Sequence, residues 1–426
     1  MTAASPWVFC GARRLELERA DHFEPPARLA SHGDFDQMLE RALAAPSAAP
    51  RLAELARGAA AVALVVPDGS RPCPNGAILP HVLGELRRAS IPSEAVTVIV
   101  GCGLHAPTSA AEKRALLGSS CGEPLRVVDA QGLESPLADL GVARCGAPVL
   151  LDRRVAEADL AVTVGVVEPH LYAGFSGGVK GVAIGCAGAE TIAWTHRPAF
   201  IAEPGVELGS LDGNPFVTAL DEIAAFTTLR FAVNVVVDEV GRPVAVAAGD
   251  PRAAQRSLAG AHRAAWLRPV PGPFDVAVCG VARPKSASYY QASRAATYLA
   301  LTARPALAPG GLIVLCADMP DGPGEGPGEA NFAALLAAVS SPAELVARGL
   351  AGPLGPGGQR AWVVARVLER YRIAVVGAAE PAALAELRVD CFATVAEAVA
   401  AHERQLGRRA RVLAVADATA TVVRAA

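Results

Sequence analysis

Short, continuously apolar runs alternate with helix-forming stretches along most of this chain, and that alternation restricts the fold more than any other feature. Ala61–Val66, Val96–Val100, Leu125–Val128, Leu160–Gly165, Phe231–Val237, Val276–Cys279, Leu312–Cys316, Ile373–Val376 and Val412–Val415 are rich in β-branched residues, and several are apolar throughout. A strand wetted on one side alternates apolar with polar; a strand covered on both faces does not. Helical stretches fill the intervals at Asn75–Ala89, Ser109–Leu117, Val217–Phe226, Pro251–Trp266, Ala292–Ala303, Ala330–Arg348 and Gly358–Tyr371. The pattern predicts α/β architecture with mainly parallel sheets. Asp238–Pro243, between two apolar runs, reads as a hairpin turn, so one sheet is expected to be mixed.

The 426 residues allow more than one domain. Trp266–Phe274 holds three prolines and a glycine after a helix, and reads as an interdomain linker. It divides the chain into 1–268 and 269–426, the last roughly 20 residues being candidates to pack back on the first domain. The Gly/Pro segment Asp321–Glu329 reads as a mobile loop inside the second domain. With 52% hydrophobic and 19% charged residues, the composition excludes a disordered chain. A net charge of −3 gives no footprint for nucleic acid. No apolar run approaches the roughly 20 residues of a membrane span, and the N-terminus lacks the pattern of a secretion signal. Nine cysteines without any C-x-x-C pair exclude zinc-ribbon and thioredoxin readings and point to a reducing, cytoplasmic setting.

Lysine is scarce. Of 39 basic residues only Lys113, Lys180 and Lys285 are lysines, so a lysine kept where arginine would carry the same charge is a candidate for amine chemistry. Lys180 closes the densest motif, Glu168-Pro-His-Leu-Tyr-Ala-Gly-Phe-Ser-Gly-Gly-Val-Lys180, which follows a strand. Its glycines allow close backbone approach to an anion, but the spacing is not that of a P-loop. Asp68-Gly-Ser-Arg-Pro-Cys-Pro74 follows another strand and puts Asp68 and Arg71 at its carboxyl edge, where α/β sheets bind ligands. Gly101-Cys-Gly-Leu-His-Ala106 imitates a dinucleotide fingerprint, with Asp129 about 20 residues on as the ribose acid. Pro107 stands where the phosphate-binding helix should already run, and His105 sits inside the loop. His196 lies in or near a helix, and Tyr290, Gln291 and Arg294 share one helical turn in the second domain.

Taken together these segments resemble the nickel-pincer-nucleotide lactate racemase family. The resemblance rests on D-G-S-R-P-x-P, the histidine of the second loop, H-x-Y-A-G-F-S-G-G-x-K, a downstream T-H, Y-Q-x-x-R and the stretch Leu211-Asp-Gly-Asn-Pro215. It implies a cofactor that holds nickel through two sulfurs and a carbon and is joined as a thioamide to a lysine, here Lys180, with His196 completing the nickel sphere. Arginine cannot supply that amine, and imidazole suits Ni²⁺. The resemblance further implies that Asp68, Ser176, Gly177, Gly178 and Tyr290 contact the cofactor. Arg71, Arg294, Gln291 and Gln359 would then contact the substrate, a 2-hydroxy acid. His105 and His170 would act as acid and base while hydride moves between C2 and the cofactor. The expected partners are that small molecule and the enzymes that make the cofactor, with no nucleic acid and no membrane. Two departures bear on substrate: Arg294 replaces a lysine, and Gln359 stands where the family has tryptophan. Val179 also replaces the usual proline. The competing readings are an NAD-dependent 2-hydroxyacid oxidoreductase and a non-catalytic nickel-nucleotide binding protein.

Overall fold

A computed structural model describes residues 5–27, 29, 33–122, 124–238 and 241–426. The chain forms two compact units. One comprises Arg28–His196 and Glu203–Arg263; the other comprises Met1–Ala27, Arg197–Ala202 and Ala264–Ala426. This differs from a division at 268/269. The N-terminal segment belongs with the C-terminal half because Trp7–Gly11 pairs in parallel with Phe274–Ala282, and His22–Glu24 pairs with Val412–Val415. The expected linker is in part a strand: Leu267–Val270 pairs with Val422–Ala425 inside the same unit. Its prolines sit where a short edge pairing tolerates a missing donor.

The unit Arg28–His196/Glu203–Arg263 is built on a six-stranded sheet. Its order is Pro243–Gly249, Leu229–Val237, Leu160–Val166, Val62–Pro67, Val96–Gly103 and Arg126–Gln131. All neighbours are parallel except the hairpin at the edge, Leu229–Val237 with Pro243–Gly249. Residues 239 and 240 of the expected turn lie outside the described residues, but Asp238 beside them accepts from Arg242 N at 2.8 Å. The apolar runs are buried as their composition demands: Val62 to Val66 are at most 2% exposed. Helix Asn75–Arg88 packs its apolar stripe Ile78, Leu79, Val82, Leu83 and Leu86 into the same core. The chain winds from Val62–Pro67 outward through two strands, then returns to the opposite side at Leu160–Val166. The order reverses between those two strands. Their carboxyl ends therefore diverge, and loops leaving them flank a crevice.

The other unit also carries a doubly wound sheet. Asp390–Phe392, Arg372–Val376, Leu307–Cys316, Phe274–Ala282 and Val412–Val415 run parallel in that order. Its reversal falls between Phe274–Ala282 and Val412–Val415, and there Trp7–Gly11 inserts. Cys10 and Gly11 pair with Val281 and Ala282, and Phe9 N donates to Ala416 O at 2.9 Å. The helical stretch expected over 330–348 is two helices, Pro327–Ala338 and Pro342–Ala351. The break has a local cause: Ser341 caps Glu344 N, and Pro342 cannot donate to the preceding turn. The segment 321–329 stays inside this unit, and its carbonyls at Gly322 and Pro323 accept from Tyr289 N and Tyr290 N. Among the described residues no helix is long and apolar enough to cross a membrane.

Candidate active site

Most of the sequence-predicted residues gather on loops at the carboxyl edge of the six-stranded sheet. Asp68 follows Val62–Pro67, and its carboxylate is organised at once: Ser70 N and Oγ bond Oδ1 at 3.1 and 2.5 Å. The other oxygen accepts from His105 Nδ1 at 2.6 Å, across from the loop after Val96–Gly103. Burial pushes the Asp68 carboxyl up, but the His105 and Ser70 hydrogen bonds outweigh it and leave it below the usual aspartate value. With Nδ1–H committed to a carboxylate, the neutral His105 ring presents the lone pair of Nε2. Asp68, expected at the cofactor, here bonds His105 and Ser70.

Arg71 reaches across the reversal of strand order. Its Nη1 donates to Glu168 Oε1 at 3.0 Å, tying the loop after Val62–Pro67 to the loop after Leu160–Val166. His170 follows two residues later in a small hairpin, Pro169–His170 against Gly174–Phe175. Its Nδ1 accepts from Tyr172 N and Ala173 N at 3.3 and 3.1 Å. The neutral ring therefore carries its proton on Nε2. The two histidines thus present opposite polarity at the same atom.

The glycines before Lys180 have a packing reason. Gly177 (φ +81°) and Gly178 (φ +58°) lie where a Cβ would strike the side chains of Asn234 and Gln255. Asn234 Oδ1 accepts from Gly178 N at 3.0 Å, and Gln255 Nε2 donates to Ser176 O at 2.9 Å. The space expected for a cofactor at these two α-carbons is filled by protein. The buried hydroxyl of Ser176 donates to Val166 O at 2.7 Å and accepts from Glu168 N at 3.0 Å. The loop so braced delivers Lys180 to the first position of helix Lys180–Ala183.

His196 ends helix Ala189–Thr195, with its Nδ1 at 3.0 Å from both Ile192 O and Thr195 Oγ1. The Nδ1 proton goes to the carbonyl, which fixes the tautomer and leaves the lone pair on Nε2, the arrangement a metal-binding histidine needs. Tyr172 stands edge-on to both His170 and His196, with centroids at 5.9 and 5.8 Å. No group of three or more His, Cys, Asp or Glu able to hold a metal occurs among the described residues. A metal here would take His196 together with donors from a bound group; the donor chemistry fits one such ligand.

Asn214 anchors this region: its Nδ2 donates to Tyr172 O at 2.8 Å and Ser210 O at 3.0 Å, while Oδ1 caps helix Pro215–Ala224 through Phe216 N. Glu168, Asn214, Asn234 and Gln255 were not singled out from sequence as site residues. Glu168 and Asn214 lie inside the quoted motifs; Asn234 and Gln255 carry no such signal.

Tyr290, Gln291, Arg294 and Gln359 belong to the other unit. The first three lie on helix Tyr289–Ala300 and Gln359 on helix Gly358–Leu368. The two helices meet where Arg360 stands over the Tyr290 ring at 5.9 Å and reaches Thr297 Oγ1 at 3.5 Å. All four residues are half-buried.

The dinucleotide-like loop does not fit its fingerprint. Gly101 lies inside Val96–Gly103, the second strand of the sheet in chain order and not the first, and it packs against Gly185. The helix begins only at Ala110. Asp129 is engaged by Lys113 Nζ at 2.7 Å and Thr108 N at 3.3 Å.

Residues 14–209 match the family model described as the lactate racemase N-terminal domain. The chain is 29% identical over 399 residues to the lactate racemase of Lactiplantibacillus plantarum, covering 91% of each. It is 30% identical over 293 residues to that of Thermoanaerobacterium thermosaccharolyticum, covering 68% of this chain and 67% of the relative. The lactate racemase apoprotein structure from the latter organism superposes with a TM-score of 0.90 at 24% identity, covering 99% of this chain and 100% of that one. A Thermotoga maritima protein of solved structure follows at 0.70 and 15% identity, covering 94% and 100%.

Proposed function

We propose, from the premise that this chain belongs to the lactate racemase family and is an isomerase, that it inverts C2 of a 2-hydroxy acid larger or more polar than lactate. The observation that carries this reading is the pair of oriented histidines flanking Arg71 at the reversal of strand order. His105 Nε2 takes the hydroxyl proton, and Asp68 steadies the imidazolium that forms. His170 holds a proton on Nε2 for the substrate oxygen, and the reverse reaction retraces these transfers. Arg71 binds the substrate carboxylate. Both proton carriers are histidines, the residue type suited to acid–base work near neutral pH.

The cofactor implied is a nickel-pincer nucleotide, which when bound supplies a hydride acceptor and so avoids a carbanion beside a carboxylate. Lys180 would anchor it covalently, His196 Nε2 would bind the metal, and Tyr290 would contact it. The tautomer fixed at His196 and the retained amine of Lys180 support that fit.

Substrate choice rests on Arg294, Gln291 and Gln359. Arginine offers a planar two-pronged donor, and glutamine in place of an aromatic gives a roomier, more polar wall. A carboxylate on Arg294 is worth roughly tenfold to a hundredfold in selectivity. The test is kcat/KM for lactate, malate and gluconate with protein co-expressed with cofactor-making enzymes, alongside intact mass and nickel content. A preference for lactate overturns the substrate reading, and equal loss on all three in Arg294→Lys assigns Arg294 to the shared chemistry. Racemisation by protein of unmodified mass without nickel overturns the cofactor reading.

A further inference from the structure

Glu168 has no role in the reading above, yet it is the group that touches Arg71. Its backbone is fixed on both sides by Ser176, whose Oγ accepts from Glu168 N at 3.0 Å and whose N donates to Glu168 O at 2.9 Å. Ser176 Oγ also donates to Val166 O, so the carboxylate leaves a braced point at the end of the strand. From there Oε1 accepts from Nη1 of the Arg71 guanidinium. An arginine has five N–H donors in a rigid fork, so a single hold at Nη1 fixes the plane and leaves the Nε/Nη2 edge for a second carboxylate. The hairpin that Ser176 braces also carries His170. The carboxylate clamp and one of the proton carriers are therefore referred to a common piece of backbone, although Arg71 and Glu168 lie 97 positions apart.

We propose that Glu168 is a positioning residue: it holds Arg71 by one edge across the reversal of strand order, so that the other edge meets the substrate carboxylate in register with His170. This rests on the reading of Arg71 as the carboxylate clamp. A group acting in this way changes substrate capture more than proton transfer, and acts only while Arg71 is present.

The test is a double-mutant cycle in the cofactor-loaded enzyme, with KM and kcat measured separately for Glu168→Ala, Arg71→Ala and the pair. Intact mass and thermal unfolding are followed for each. The expected result is a KM about tenfold higher for Glu168→Ala with kcat within about threefold. On the Arg71→Ala background the same substitution should change KM by less than about twofold. Glu168→Gln, which keeps an acceptor oxygen, should recover part of the loss, and it substitutes if the alanine variant does not fold. An unchanged KM in Glu168→Ala beside a raised KM in Arg71→Ala overturns the proposal alone. An unchanged KM in Arg71→Ala overturns the clamp reading. Equal effects of Glu168→Ala on both backgrounds reduce Glu168 to a structural part, and a lowered KM makes it a competitor of substrate.

Discussion

Asp68 decides which nitrogen of His105 carries the proton, and on the proposed mechanism it thereby sets which one meets substrate. Replacing it by asparagine offers an N–H donor to Nδ1, which favours the wrong tautomer while keeping the shape. Asp68→Asn should lower kcat by about a hundredfold and leave the cofactor adduct intact by mass. Long-range ¹H–¹⁵N spectra of the protein without cofactor should show His105 protonated at Nδ1 and His170 at Nε2. The Asp68 carboxyl lies below its ordinary value when folded, so its stabilising contribution is present above the ordinary aspartate range. That contribution is lost only as pH falls through the depressed value. Lys180→Arg should keep the fold and carry no adduct, because a guanidinium cannot take the lysine's place in a thioamide. An adduct mass in that variant would move the anchor elsewhere. Lys180, His105 and His170 drew notice as candidates because rare residue types stand on glycine-rich loops after strands. Glu168 did not, because its partner is remote in sequence, and the inward bonds of the Ser176 hydroxyl to backbone carry no sequence signal.

At the scale of elements, the nine apolar runs read off the sequence directly as strands, and all but Leu125–Val128 are largely buried, since a strand covered on both faces is apolar along its length. Arg13–Glu16 and Leu137–Val142 are largely exposed and carry no such run, which is why they were missed. Loop conformation was legible at its glycines but not the reason for each. Gly174 and Gly213 have nearly the same φ, +69° and +68°, yet a Cβ on Gly174 would collide with the Ser210 carbonyl while one on Gly213 meets nothing within 4 Å. Gly213→Ala should cost about 1 kcal/mol, the price of left-handed backbone alone. Gly174→Ala should cost at least about 3 kcal/mol and also displace the hairpin bearing His170. Urea unfolding of both variants checks this; equal losses would mean that the Ser210 contact relaxes freely.

Across the whole molecule, acid sensitivity has an identifiable contributor outside the site. His402 is 3% exposed, and neither ring nitrogen has a hydrogen-bond partner among the described residues. Burial lowers its pKa, as do Arg372 and Arg408, while Asp275 and Glu403 oppose them. The unfolded chain therefore binds a proton that the folded one refuses. Stability falls as pH drops through the ordinary histidine value of about 6.5 towards the lower folded value. The loss of melting temperature between pH 7.5 and 5.5 should be smaller in His402→Leu than in the natural protein; identical losses would place the sensitivity elsewhere. The division of the chain was the least legible feature at this scale, because no local signal says that Trp7–Gly11 belongs with Phe274–Ala282. That pairing has a consequence in time. On the ribosome the strand Trp7–Gly11 is made first, but Val281, which Cys10 meets in register, follows roughly 270 residues later, on the order of 15–50 s at 5–20 residues per second. Through that interval the strand can pair with Arg13–Glu16 on one side, but the edge that meets Phe274–Ala282 stays open to neighbouring chains on the same message. That open edge is the part of the nascent chain that most needs shielding during synthesis.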